Sequence, residues 1–240
     1  MSRRVAVVTG ANKGIGLEIA RQLGREGITV FLGARDEERG GAAAEKLRAE
    51  GIDARPLRLD VTDDASVSAA AAFLEQNAGR LDILVNNAGI AIDDGPPSRV
   101  SLGALRRTYE TNVFGVVRAT QATLPLLRRS EAGRIVNLSS GLGSLSRNSD
   151  PSWDYASVKF LAYNSSKTAV NAITVQFAYE LRDTPIKVNA ADPGYVATDM
   201  NRHQGVRSVE QGAATPVRLA LLPADGPTGG YFNDDGPLPW

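Results

Sequence analysis

The sequence predicts an α/β fold: a single domain over residues 1–240, built as one doubly wound parallel sheet with helices on both faces. Three observations predict it. Short apolar runs rich in β-branched residues, too short for helices, recur along the chain and read as buried strands. Stretches of helical length separate them, and repeated β-α units imply a parallel sheet with right-handed crossovers. The first run, Val-Ala-Val-Val at 5–8, passes into Thr9-Gly10-Ala-Asn12-Lys13-Gly14-Ile15-Gly16, a glycine loop that opens a helix.

In that loop Gly10, Gly14 and Gly16 allow a sharp turn and close approach of backbone N–H groups to a ligand. Ile15, Ile19, Ala20 and Leu23 then recur at helical spacing, so the positive end of a helix points at whatever sits on the glycines. This is an anion site suited to a pyrophosphate. Its spacing, G-x-x-x-G-x-G, differs from the G-x-G-x-x-G of the usual dinucleotide fingerprint.

The remaining elements follow in order. Strands are expected at 29–32, 55–59, 81–85, 134–138 and 186–190, with a last short one at 230–232. Helices are expected at 37–50, from about 63 with Thr62 or Asp63 as cap, over about 101–129 with Pro125 kinking or ending it, and at 163–181. A final helix starts at the capping-box pattern Ser208-Val-Glu-Gln211 and runs toward 222. In such sheets ligands bind beyond the carboxyl ends of the strands. The loops at those ends carry Gly33-Ala34-Arg35, Asp60-Val61, Asn86-Asn87-Ala88-Gly89, Ser139-Ser140 and Asp192-Pro193-Gly194. Each is ordinary turn chemistry taken singly; together, at one sheet edge, they mark a site.

Composition narrows the chemistry. There is no cysteine, which excludes thiol catalysis, disulfides and cysteine-bound metal. The only histidine is His203, which argues against a Ser-His-Asp triad or a multi-histidine metal site, and no metal is expected. The 27 basic and 27 acidic residues balance to a net charge of zero, giving no support for nucleic-acid binding. No apolar run approaches the length of a membrane span, and the expectation is a cytoplasmic protein with no membrane partner.

Catalysis must then use Tyr, Lys, Ser, Asn or carboxylates. Tyr163-Asn-Ser-Ser-Lys167 places a phenol and an ammonium one helical turn apart. A nearby cation favours the phenolate and lowers its pKa, which suits proton exchange with a carbonyl oxygen. Pairs at this spacing are common, and Tyr155-Ala-Ser-Val-Lys159 is a second copy closer to Ser140. Small residues after Tyr163, the apolar stripe Val170, Ile173, Phe177 and Leu181, and the chain length from Lys167 to Pro193 favour the Tyr163 pair.

The set Thr9-Gly10-x-x-x-Gly14-x-Gly16, Asn86-Asn87-Ala88-Gly89, Asn112, Ser140, Tyr163-x-x-x-Lys167 and Pro193-Gly194 resembles the short-chain dehydrogenase/reductases over nearly the whole chain. Gly33-Ala34-Arg35-Asp36 and the run from Pro193 through Thr198 to Met200 look most like the carbonyl reductase branch. The resemblance implies a Rossmann-type fold and an NADPH-dependent reductase of aldehydes or ketones, with alcohol oxidation or a non-catalytic nucleotide sensor as rivals. It implies that Tyr163 donates a proton to the substrate oxygen and that Lys167 lowers its pKa and binds the nicotinamide ribose. Ser140 would hold the carbonyl, and Asn112 would anchor a proton-relaying water. For the cofactor, it implies Gly10, Asn12, Lys13, Gly14, Ile15 and Gly16 at the pyrophosphate, Asp60 and Val61 at the adenine, and Asn87 at the ribose. Pro193, Gly194, Val196 and Thr198 would lie by the nicotinamide.

Ala34 stands where an NAD-preferring site usually has a carboxylate, and Arg35 and Lys13 could meet the 2′-phosphate of NADPH; Asp36 could turn inward and repel it. NADPH is therefore expected rather than NADH. Tyr163 lies farther beyond Ser140 than the family pattern has it. Residues 141–162 are accordingly read as an insertion over the active-site mouth, facing a substrate loop at 195–212. The insertion is expected to limit self-association, with monomer and homo-oligomer both open.

Overall fold

The computed structural model describes residues 3–240. Among them lies one eight-stranded sheet of order β3-β2-β1-β4-β5-β6-β7-β8. The strands are β1 (Val5–Thr9), β2 (Thr29–Ala34), β3 (Ala54–Arg58), β4 (Ile83–Asn86), β5 (Arg134–Leu138), β6 (Lys187–Ala191), β7 (Tyr231–Asn233) and β8 (Gly236–Pro237). All pairings are parallel except that of β8 with β7. The helices are α1 (Gly14–Arg25), α2 (Glu37–Ala49), α3 (Asp64–Ala78), α4 (Leu102–Tyr109), α5 (Gly115–Leu127), α6 (Leu145–Ser149), α7 (Leu161–Glu180) and α8 (Val209–Ala220). None is long and apolar enough to cross a membrane.

The unbroken apolar run of β1 has a direct cause. Side chains alternate across a strand, so Ala6 and Val8 enter the core beneath α1, α2 and α8, while Val5 and Val7 enter the one beneath α3, α5 and α7. The chain winds outward from β1 through β2 to β3, then returns to lay β4 on the other side of β1. The switch point therefore falls between β1 and β4, where the glycine loop and the Asn86-Asn87-Ala88-Gly89 loop emerge.

The edge strand β3 is blunted by its own sequence. Val30 N–H donates to Asp53 C=O and Leu59 N–H to Ala34 C=O, so odd-numbered residues of β3 pair with β2 and even-numbered ones face outward. Pro56 takes an outward position, where its missing N–H leaves no donor to recruit another strand.

The expected continuous helix over 101–129 is divided. Ser101 caps α4 by accepting the Ala104 N–H, and a π-helical turn at Glu110–Phe114 then separates α4 from α5. Gly115 follows that turn because a Cβ there would press on Val61. Pro125 sits in the last turn of α5, deprives the Gln121 carbonyl of its partner, and the helix stops at Leu127. Asp63, not Thr62, caps α3, and the capping box at Ser208 and Gln211 opens α8. Helix α7 begins at Leu161, two residues before the expected start, and the β7–β8 hairpin was not expected.

Beneath the site a buried polar network pins four elements. Asn86 Nδ2 donates to Asn137 Oδ1 (2.8 Å) and Thr120 Oγ1 (3.0 Å), and Asn137 Nδ2 donates to Thr174 Oγ1 (2.9 Å). This ties β4, β5, α5 and α7 together through side chains that are all buried, where the low dielectric makes an unpaired polar group costly. Asn137→Ala leaves one Asn86 N–H without an acceptor and Thr174 Oγ1 without its donor, and is expected to lower stability by about 2–3 kcal/mol. Urea unfolding measures this, and a loss below about 0.5 kcal/mol would contradict the structural role given to the network.

Candidate active site

The glycine loop is locked to the loop after β4. Thr9 Oγ1 accepts the N–H groups of Asn87 (3.0 Å) and Ala88 (2.9 Å), and Asn87 Nδ2 returns bonds to the carbonyls of Thr9 (2.8 Å) and Gly10 (3.1 Å). This close approach requires glycine. A Cβ at Gly10 would stand 3.0 Å from Ala88 Cα, and one at Gly16 would overlap the Asn87 amide; Gly10 and Gly14 also have φ of +63° and +57°. No side chain caps the start of α1, so its first-turn N–H groups are left for a ligand. Positive helix end, free donors and a cradle without Cβ atoms together fit a pyrophosphate.

Several residues expected at the cofactor have other occupations. The Asn87 amide nitrogen braces the glycine loop. Lys13 Nζ is paired with Asp199 Oδ2 at 2.6 Å, and Asp199 also binds His203 at 2.9 Å, so Lys13 reaches across to the 195–212 loop instead of joining Arg35. Arg35 is exposed and has no ion-pair partner among the described residues. Asp36 does not turn inward: it caps α2 by accepting the Arg39 N–H at 3.0 Å. Asp60 accepts both the N–H and the hydroxyl of Thr62, and these bonds with the charges of Arg35 and Arg118 hold its carboxyl below the usual range despite burial.

Val61 packs in the core against Gly115. Val196 is buried against Gly212, while Thr198 lies over Gly14 and caps the 3-10 turn Asp199–Asn201. Asn12, Ile15 and Pro193 are half-buried at the loop surface, and Gly194 is exposed with φ of +74°.

The proposed chemical groups meet at the ends of β4 and β5. Ser140 follows β5, and its hydroxyl both accepts the Leu142 N–H (3.3 Å) and hydrogen-bonds the Tyr163 phenol. Lys167 is buried; its ammonium donates to Leu138 C=O at 2.7 Å and lies 5.6 Å from the Tyr163 ring centroid. Asn112 sits in the π-helical turn, where Oδ1 accepts the Ile90 N–H (2.8 Å) and Nδ2 donates to Ile90 C=O (2.9 Å) and Ser166 Oγ (3.0 Å). Such wide turns are frequent at functional sites. Gly89 lies between them: a Cβ there would be 3.4 Å from Asn112 Oδ1 and 3.6 Å from Lys167 Nζ. Residues 141–143 are sewn to α7 by Thr168, whose hydroxyl donates to Gly143 C=O at 2.9 Å.

The electrostatics differ from the expectation that Lys167 lowers the Tyr163 pKa. Burial dominates, pushing the phenol up to about 12 against the opposing Ser140 hydrogen bond, and pushing the Lys167 ammonium down to about 8. At neutral pH Tyr163 is an undissociated phenol and Lys167 a cation. Asp192, read from the sequence as turn chemistry, is a buried carboxylate bonded by the N–H groups of Gly194 and Gly141, with Arg147 at 4.0 Å. Burial raises its pKa, and its charge favours the protonated forms of Lys167 and Tyr163. A carboxylate at the end of a buried strand was the available signal.

The second Tyr-Lys pair is placed differently. Tyr155 and Lys159 lie outside any helix; Lys159 Nζ donates to Asn148 C=O, and Tyr155 makes ring contacts with Trp153 (5.6 Å) and Tyr195 (6.1 Å).

Comparison with known proteins accords with this geometry. Residues 4–207 match the model of the short chain dehydrogenase family. Carbonyl reductase [NADPH] 1 of Mus musculus is 38% identical, with 100% of this chain and 99% of that protein covered. The (+)-neomenthol dehydrogenase of Arabidopsis thaliana is 40% identical, with 96% of each covered. Among solved structures, NADPH-bound carbonyl reductase from chicken fatty liver superposes with a TM-score of 0.86 at 28% identity, covering 100% of both chains. Salutaridine reductase from Papaver somniferum gives 0.84 at 33%, covering 97% of this chain and 100% of that one. The chain belongs to the short-chain dehydrogenase/reductase family.

Proposed function

We propose that the chain is an NADPH-dependent reductase that converts an aldehyde or ketone to an alcohol. The observation that carries this is the meeting of Ser140, Tyr163 and Lys167 beside a glycine cradle at the switch point of the sheet. NADPH, when bound, supplies the hydride. Tyr163 holds the proton that goes to the substrate oxygen, and Ser140 orients that oxygen by hydrogen bonding. Lys167 keeps a cation beside them, and with one donor on Leu138 it has others for a ribose. Asn112 fixes the Ile90 backbone and, through Ser166, the first turn of α7.

The reductive direction is favoured by the phenol itself, since a group held at about 12 gives up its proton only to a developing alkoxide. A non-catalytic sensor would have no use for a buried ammonium, whose desolvation costs stability.

Trp153 and Tyr155 of the 141–162 segment and Tyr195 of the 195–212 loop pack ring against ring, an aromatic surface that suits a ring-bearing apolar carbonyl compound. Relatives named for neomenthol and salutaridine support the same class. The 141–162 segment is read as the insertion that builds this surface. Phe114, Val175 and Tyr179 remain exposed and support self-association, while the absence of cysteine supports a cytoplasmic setting.

Tyr163→Phe is expected to lower kcat by about 10²–10⁴-fold with little change in NADPH affinity, and Tyr155→Phe to keep most activity. Near wild-type kcat in the first variant would sink the mechanism. The pH profile of reduction should fall as pH rises through about 8, where Lys167 loses its charge, and not near 12 where Tyr163 ionises. A rate flat to pH 10 would remove Lys167 from the account. For cofactor choice, Arg35→Ala should raise KM for NADPH by about 10-fold and leave NADH kinetics unchanged; equal kcat/KM for both cofactors in the wild type would contradict the site.

A further inference from the structure

Helix α7 carries Tyr163 and Lys167, yet its start has no local cap. The residue before it, Phe160, has extended backbone angles (φ −82°, ψ 92°) and no side-chain oxygen, so it cannot satisfy the first-turn N–H groups of Leu161, Ala162 and Tyr163. Those of Ala162 and Tyr163 are bound from elsewhere. Asp93, in the loop after β4, accepts Ala162 N–H on Oδ1 at 2.7 Å and Tyr163 N–H on Oδ2 at 3.1 Å. A capping side chain ordinarily takes one or other of these two positions in its own helix; here one carboxylate from a distant loop takes both.

We propose that Asp93 is a positioning residue for Tyr163, tying the first turn of the catalytic helix to the loop that follows β4. Tyr163 is the third residue of α7, within the turn that frays first when its donors are unsatisfied, so the capped turn sets where the phenol lies. The loop supplying the carboxylate is itself fixed: Asn87 and Ala88 bind Thr9, and Ile90 binds Asn112 on both backbone atoms. Asp93 therefore references the proton donor to the brace that shapes the glycine cradle. A local Ser or Asp cap would stabilise the helix equally well without making that connection. The inference rests on the reading of Tyr163 as proton donor.

Asp94 provides an internal control. It carries the same charge next door but binds the Ser101 N–H (2.9 Å) and hydroxyl (2.6 Å), away from α7.

The test is steady-state reduction together with NADPH binding by fluorescence and thermal unfolding. Asp93→Ala is expected to lower kcat by about 10–100-fold, because small misplacements of a reacting group are costly, while the Kd for NADPH stays within about twofold. Its Tm should fall by about 2–4 °C. Adding Phe160→Asp to Asp93→Ala gives α7 a local cap at an exposed position, so Tm should recover while kcat stays low. Asp93→Asn, which keeps one acceptor oxygen, should lie between wild type and Asp93→Ala in kcat and serves if the alanine variant does not fold. Asp94→Asn should keep wild-type kcat. The inference is overturned if Asp93→Ala keeps kcat within about twofold of wild type, if the Phe160→Asp cap restores kcat along with Tm, or if Asp94→Asn loses as much. If Tyr163→Phe keeps full activity, the reading of the proton donor fails; if it is inactive while Asp93→Ala is fully active, only the role of Asp93 fails.

Discussion

The bond set between Thr9 and the Asn87-Ala88 backbone is the constraint on which the rest of the site depends. It closes β1 against β4 at the one place in a doubly wound sheet where successive crossovers diverge, so the two loops form opposite walls of a single groove. Because the walls touch, Gly10 and Gly16 have no room for a side chain, and the N-terminus of α1 is left with backbone donors facing the groove. The motif glycines and the amide-rich loop are thus two halves of one requirement.

From that brace the geometry extends to the proton donor by short links. Ile90 holds Asn112, Asn112 holds Ser166, and Ser166 donates to the Tyr163 carbonyl; Lys167 is tethered to β5, the strand that delivers Ser140. Burial then sets the charges. It keeps the phenol protonated and weakens the hold of Lys167 on its proton, while Asp192 pulls the other way on the lysine. Hydrogen-bond tethers fix position, and desolvation fixes protonation.

Strand positions and helix spacing were legible because they rest on local patterns: the run at Val5–Thr9 needs both faces buried, and the Ser208 and Gln211 capping box announces α8 from within four residues. What escaped the sequence rests on contacts between distant residues. The π-helical turn at Glu110–Phe114 has a helical pattern on both sides and no breaker, so α4 and α5 read as one helix. The start of α7 was misplaced because its cap comes from Asp93 and not from a neighbour. The site residues themselves were named from motif likeness, yet their partners were not. Asp199 pairs with Lys13, and the Thr9 and Gly10 carbonyls accept from the Asn87 amide, contacts between residues far apart in sequence. Arg35, in contrast, is exposed and has no ion-pair partner among the described residues.

The central claim is that this braced groove holds a hydride donor and the Tyr163 phenol against one carbonyl. Reduction of a cyclic ketone with NADPH carrying deuterium at the reactive C4 position tests it most directly. The account predicts one deuterium on the carbinol carbon of a single alcohol stereoisomer, formed in step with oxidised cofactor. Bound NADPH with no labelled alcohol from any carbonyl compound in a broad panel would contradict it.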